Sequence, residues 1–215
     1  MNISDSVLKA HLDRVWWLGG ATCGGKSTLT DILAAKHGLT AYHPEDCFQE
    51  HKKLACQDDH PTMLQPFHGW EWFFGRPIDR YGTDLMESDC EQFDMILVDL
   101  LKFSAQGRVI VDCHALAPAV AQRLVRPERV IFLFADPTTI RRLCLDREDK
   151  RDILGVINGL AEPDKVREHV LDVCSEVSAR KLAQVKELGF NYILRDGDTP
   201  REDSLRRVEE HFGWG

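Results

Sequence analysis

The segment Gly20-Ala-Thr-Cys-Gly-Gly-Lys-Ser27 follows the pattern G-x-x-x-x-G-K-[ST], and its surroundings constrain the fold more than any other part of the chain. Residues 15–18, Val-Trp-Trp-Leu, read as a short apolar strand ahead of it. Residues 27–36 behind it read as a helix that stops at Gly38. Glycines let the backbone curl so that successive N–H groups point inward, and a helix starting there adds the positive end of its dipole. Strand before and helix after is the setting in which this pattern cradles phosphates. Lys26 is then placed to reach the β- and γ-phosphates, and the Ser27 hydroxyl to ligate Mg²⁺. The motif therefore predicts a nucleoside triphosphate site over Gly20, Ala21, Thr22, Cys23, Gly24, Gly25, Lys26, Ser27 and Thr28.

Four further apolar runs alternate with helical stretches, at residues 39–43, 109–112, 130–134 and 191–194. Such alternation predicts an α/β fold, a parallel sheet with helices on both faces. The 215 residues suit one domain. Residues from about 44 to 106 exceed what a single crossover helix needs and read as a helical insertion, a cap over an acceptor. Its end carries an apolar stripe, Phe93, Ile96, Leu97, Leu100 and Leu101. Its middle, residues 68–77, is aromatic and glycine-flanked, suited either to packing on the sheet or to lining a pocket with Arg76 and Arg80 toward an anionic group. Residues 163–188 read as a long core helix, and Thr199-Pro-Arg-Glu202 as a capping box opening the last helix.

Val109-Ile-Val-Asp112 is an apolar strand ending in a carboxylate, which suits a Mg²⁺-bound water in a phosphate-loop protein and equally suits simple turn chemistry. Ligands of parallel sheets sit beyond the carboxyl ends of the strands. Glu45 or Asp46, after the second strand, can therefore face the γ-phosphate and take a proton from an acceptor hydroxyl. Asp46 is the candidate base, with the N-cap of a helix near Cys47 as its alternative role. After the fourth strand, Arg141, Arg142, Arg147, Lys150 and Arg151 form a basic run over a lid at about 137–160, or a solvated helix face.

Net charge is −8, against the broad basic surface that duplex nucleic acid requires. Seven cysteines without C-x-x-C spacing suggest reduced thiols rather than disulfides or zinc. No signal peptide and no membrane-length apolar run is visible, so a cytoplasmic location is expected, without membrane or nucleic-acid partners.

Together, the loop, the carboxylate after strand two, Asp112 and the arginine-rich segment resemble the small P-loop kinases, which include nucleoside monophosphate, shikimate and gluconate kinases and antibiotic-modifying phosphotransferases. The resemblance implies a P-loop NTPase three-layer α/β/α sandwich with five parallel strands, the phosphate loop after the central one, and a lid that closes on ATP. It gives Arg142 the role of stacking on adenine and Arg147 or Arg151 that of neutralising the transferred phosphate. Asp196 to Pro200, with Thr199 and Pro200, would line the adenine pocket. The chain departs from nucleoside monophosphate kinases in lacking their arginine-bearing acceptor helix, and from shikimate kinases in having Cys113-His114 where a Gly-Gly pair follows strand three. The expectation is an ATP- and Mg²⁺-dependent phosphotransferase acting on an unidentified small molecule, as monomer or homodimer. A nucleotide kinase and a regulatory P-loop ATPase are the alternatives.

Overall fold

A computed structural model describes residues 3–146 and 150–214. The chain opens with α1 (Asp5–His11), β1 (Val15–Gly20) and α2 (Lys26–His37), followed by β2 (Thr40–Tyr42), a 3₁₀ turn (Pro44–Cys47) and α3 (Phe48–Leu54). Next come α4 (Trp70–Phe74), α5 (Ile78–Gln106), β3 (Val109–Asp112), α6 (Pro118–Leu124), β4 (Val130–Ala135) and α7 (Pro137–Leu143). The remainder is α8 (Arg151–Asn158), α9 (Pro163–Glu187), β5 (Tyr192–Arg195) and α10 (Arg201–Phe212).

The five strands form one parallel sheet in the order β2-β3-β1-β4-β5, so β1 is central and the phosphate loop follows it. Alternation along the strands decides which helices cover each face. Val15 and Trp17, with Val109, Val111, Phe132 and Phe134, pack against residues of α1, α5, α6 and α9. Trp16 and Leu18, with Ile110, Ile131, Leu133 and Ile193, pack against α2 and α10. Both faces are thus buried, and β1 and β4 read as continuous apolar runs rather than alternating ones.

The register brings the site together at one edge. Leu18 pairs with Asp112 and Gly20 with Leu133, so β3 and β4 flank the loop on its two sides. Gly38 at φ +62° closes α2, as its place in the sequence predicts. Beyond the sheet, α4, α8, α9 and the start of α5 share a separate apolar cluster built on Phe74, Tyr81, Ile157 and Val173.

Two local readings need correction. Thr199 does not cap α10, whose N-cap is Pro200 without a side-chain bond. The Thr199 amide and hydroxyl instead donate to Asp196 Oδ1 at 2.7 and 2.6 Å, folding the β5–α10 loop on itself. Asp46 caps nothing either, because it sits inside the 3₁₀ turn and Cys47 occupies the N-cap of α3.

Candidate active site

The phosphate loop is shaped by backbone contact with β4. The Ala21 amide donates to the Leu133 carbonyl at 3.2 Å. A Cβ on Gly20 would lie 2.0 Å from that carbonyl oxygen, and one on Gly24 2.4 Å from it. Only glycine permits so close an approach. Cys23, at φ +60°, and Gly25, at φ +87°, turn the chain into α2. Gly25 is the N-cap of α2 and offers no side-chain acceptor, and no acidic residue stands in the first turn. The leading N–H groups of this twelve-residue helix are therefore left for an anion.

Lys26 is buried, and its Nζ donates to the Ala21 carbonyl at 2.9 Å while lying 3.7 Å from Asp112 Oδ1. The Ser27 hydroxyl donates to Asp112 Oδ2. The His43 imidazole lies 3.7 Å from the same oxygen and 3.0 Å from Asp31. Burial pushes the Asp112 carboxyl upward, but Lys26, His43 and Ser27 outweigh it and hold the group far below the usual carboxylate range. Contact with Asp112 lifts His43 to about 9 against its burial, with Asp31 assisting. The glycine-rich loop thus follows the central strand of a five-stranded parallel sheet, with a carboxylate from the neighbouring strand beside its lysine and serine.

The fold is an α/β one, five parallel strands between helices with the glycine-rich loop after the central strand. No family model and no curated protein matches the chain. Among solved structures it is similar to shikimate kinase from Bacteroides thetaiotaomicron, at 20% identity over 91% of this chain and 96% of that one, with a TM-score of 0.45. That similarity concerns the course of the chain and carries nothing about the chemistry of the site.

The residues present suit Mg²⁺. Asp112 Oδ1 is buried without a hydrogen-bond partner, beside the Ser27 hydroxyl. Among the described residues no group of three or more His, Cys, Asp and Glu could hold a metal unaided. A cation at Asp112 must then draw its other ligands from phosphate and water, as Mg²⁺ at phosphate sites does.

Two cavities meet at the loop. The first, of about 250 Å³, lies over Cys23 to Thr28 and is bounded by Leu143, Asp146 and Arg195. Arg195 closes over Gly25, since a Cβ there would lie 3.2 Å from its Nη1, and its Nε is buried without a partner. The sequence reading passed over Arg195, although its place at the carboxyl end of β5 is a ligand-facing position. The Arg142 guanidinium packs directly on Gly197, where a Cβ would meet Nη2 at 1.8 Å, so it lies against the loop containing Thr199 and Pro200. Arg147 lies outside the described residues. Arg151 is the exposed first residue of α8 and lines neither cavity. Arg141 does not point to the site at all, as it pairs on the surface with Glu168, at 2.6 Å, and with Asp172 of α9.

The second cavity, of about 280 Å³, lies between the loop and helices α4, α5, α8 and α9. Phe73, Phe74, Tyr81, Leu85, Leu145, Ile153, Val170 and Val177 make its apolar wall. Its polar end collects Glu45, Asp89, His114 and Lys181 beside Lys26 and Ser27. Lys181 Nζ donates to Asp89 Oδ2 and to the His114 carbonyl, both at 2.7 Å. Asp89 Oδ1 lies 3.4 Å from His114 Nε2, and Glu45 lies 3.6 Å from His114 Nδ1, which has no hydrogen-bond partner. Burial works to raise the Asp89 carboxyl, yet Lys181 and His114 bring it down to about 2. Burial likewise works to lower His114, but Asp89 leaves it raised.

Three sequence expectations change here. Glu45 and Asp46 are both exposed residues of the 3₁₀ turn, and of the two it is Glu45 that lines the cavity. Arg76 lies outside this cavity, buried against the rings of Phe73 and Tyr81 and bound to Asp84 at 2.6 Å. Arg80 pairs with Asp84 at 2.8 Å and is also absent from the lining. The long helix α9, read as core alone, supplies Val170, Cys174, Val177 and Lys181 to the wall. Among the described residues no helix is long and apolar enough to cross a membrane.

Proposed function

We propose that this chain transfers the γ-phosphoryl group of ATP to a hydroxyl of a small molecule. One observation carries the reading: Lys26 and Ser27 line both cavities, so a triphosphate over the loop and an acceptor under the helices would meet at the same two side chains. A site built only to hydrolyse ATP needs no second, apolar chamber opening on its phosphate loop.

In this reading the nucleotide lies in the first cavity, its phosphates on the loop amides and the first turn of α2. Lys26 draws charge off the β- and γ-phosphates once it turns from the Ala21 carbonyl. Ser27 and Asp112 would hold Mg²⁺, which when bound neutralises phosphate charge. Arg142 and the Thr199-Pro200 loop frame the base, and residues of the 137–160 segment, Arg147 and Arg151 included, serve as a lid. The helical stretch 44–106 caps the acceptor. Glu45 takes the proton of the attacking hydroxyl, while His114, fixed by Asp89, orients its oxygen from Nδ1. Positioning and electrostatics supply nearly all of the rate, since phosphoryl transfer asks for little covalent help.

A nucleotide kinase is the weaker form of the same reading. Arg76 and Arg80, the cations that would grip a phosphorylated acceptor, are both engaged by Asp84. The test is an acceptor screen with Mg·ATP, following ADP release and product mass. Acceptor-dependent ADP release with a phosphorylated product, lost in Lys26→Met, is expected. Equal ADP release with and without every acceptor would return the chain to the regulatory ATPases.

A further inference from the structure

The second cavity has a chemical character that the phosphate loop does not dictate. Its wall is aromatic and aliphatic, with Phe73, Phe74 and Tyr81 facing Val170 and Val177. Its volume of about 280 Å³ is roughly twice the ~150 Å³ that holds one benzene molecule. Most of its polar groups gather beside Lys26 and Ser27, and there the acids Glu45 and Asp89 stand among them.

Among the described residues, the cations that an acidic acceptor would need are engaged, Lys26 by the Ala21 carbonyl and Asp112. Lys181 is held by Asp89 and the His114 carbonyl. Arg180 of the same helix pairs with Glu176 and donates to Thr83. Lys150, just ahead of α8, also lines the cavity and is not a free cation. A carboxylate or phosphate in the apolar part of the chamber would be stripped of water without a partner, at a cost far above that of a neutral group. One near the polar end would compete with Glu45 and Asp89 for Lys181 and His114, which those acids already hold.

Resting on the phosphotransfer reading, we infer that the acceptor is an uncharged alcohol with a one- or two-ring or comparably bulky apolar body. Its hydroxyl lies between Glu45 and His114, and its body lies along Phe74, Tyr81 and Val177. Neither an organic acid nor a phosphate ester is its natural class. The transfer breaks the bond between the γ-phosphorus and the β–γ bridging oxygen of ATP and forms a bond from the acceptor oxygen to that phosphorus. The hydroxyl proton goes to Glu45, and ADP leaves.

The experiment uses the full chain with Mg·ATP and matched sets of ring alcohols, each set containing a neutral compound, its carboxylated counterpart and its phosphorylated counterpart. The expected result is a kcat/KM for the neutral member at least about tenfold above either charged one, the scale that one misplaced group commands in a pocket. Leu85, partly exposed on the cavity rim, provides the specificity variant. Leu85→Arg adds a cation where water can reach it, and should shift the neutral-to-carboxylate ratio about tenfold toward the carboxylate while leaving the KM for ATP in place. Preferred turnover of the carboxylated or phosphorylated members by the unaltered chain, abolished in Lys150→Met, would overturn the inference. If no compound is phosphorylated, the phosphotransfer reading fails first, and binding to the ADP-bound chain then decides the chamber's chemistry. Saturation-transfer NMR should show the neutral members bound and the charged ones not. Equal binding of all three, or none, overturns the inference as well.

Discussion

Gly24→Ala isolates the contact on which the phosphate loop depends. Gly24 is not among the residues at positive φ, so alanine meets no backbone penalty there and the effect is steric. The new Cβ would lie 2.4 Å from the Leu133 carbonyl oxygen, 2.7 Å from its carbon and 3.1 Å from the Phe134 nitrogen. All three atoms belong to a fully buried strand hydrogen-bonded on both sides, so the loop must be the part that moves. The nearest contact has to open from 2.4 Å to beyond 3.0 Å, more than half an ångström of loop displacement. Overpacking of this kind costs about 1–3 kcal/mol of stability. The larger effect falls on function, because a misplacement approaching 1 Å costs on the order of 10²-fold where several groups must converge on one ligand. Titration with Mg·ATP by calorimetry, beside thermal melts of the free protein, measures both. Gly107→Ala is the control, since no atom lies within 4 Å of its added Cβ, and it should leave affinity and melting unchanged. Nucleotide affinity within threefold of the parent in a folded Gly24→Ala protein would refute the claim that β4 sets the loop's curvature.

Glu45→Gln should lower kcat by about 10²-fold with little change in the KM for ATP, whereas Asp46→Asn should stay within about twofold; steady-state kinetics showing the reverse would restore Asp46 as base. Lys181→Met leaves Asp89 without its main counter-charge and should destabilise the fold by about 3 kcal/mol at neutral pH. Because Asp89 is depressed to about 2, its contribution is present above the ordinary carboxylate range and is lost as pH falls through that value. In the variant the carboxyl rises instead, so the stability gap measured by urea melts should narrow from pH 7 to pH 4, and a constant gap would dismiss the pairing. Arg142→Ala should weaken ATP binding about threefold through lost stacking, and hydrogen exchange over 137–146 should slow with Mg·ATP in the parent; neither effect would appear if the segment is only a solvated helix face.

The parts legible in the sequence are those whose causes are local. The phosphate loop needs glycines against a neighbouring strand, and that requirement is written in eight consecutive residues. Asp112 was readable because an apolar strand ending in a carboxylate has few places to go in a parallel sheet. Glu45 and Asp46 could not be told apart, since both are exposed in a 3₁₀ turn and only its tertiary position beside His114 brings Glu45 to the cavity. Arg80 could have been paired with Asp84 from their i, i+4 spacing on one helix, and Arg76 follows from that. Asp89, His114 and Lys181 come from α5, the turn after β3, and α9, and nothing local announces that they meet.

Because Lys26 and Ser27 belong to both chambers, the two ligands would be neighbours rather than residents of separate rooms. Joining them covalently then costs little in reach. An adenosine oligophosphate carrying a neutral ring alcohol on its terminal phosphate would fill both chambers across one short bridge, so that capture of either half raises the local concentration of the other to the millimolar range. Avidity of that origin multiplies two modest affinities without any new contact, gaining about 10²–10⁴ over either half alone. On the phosphotransfer reading, the shared floor of the two cavities makes a single linked molecule the natural high-affinity probe of this protein.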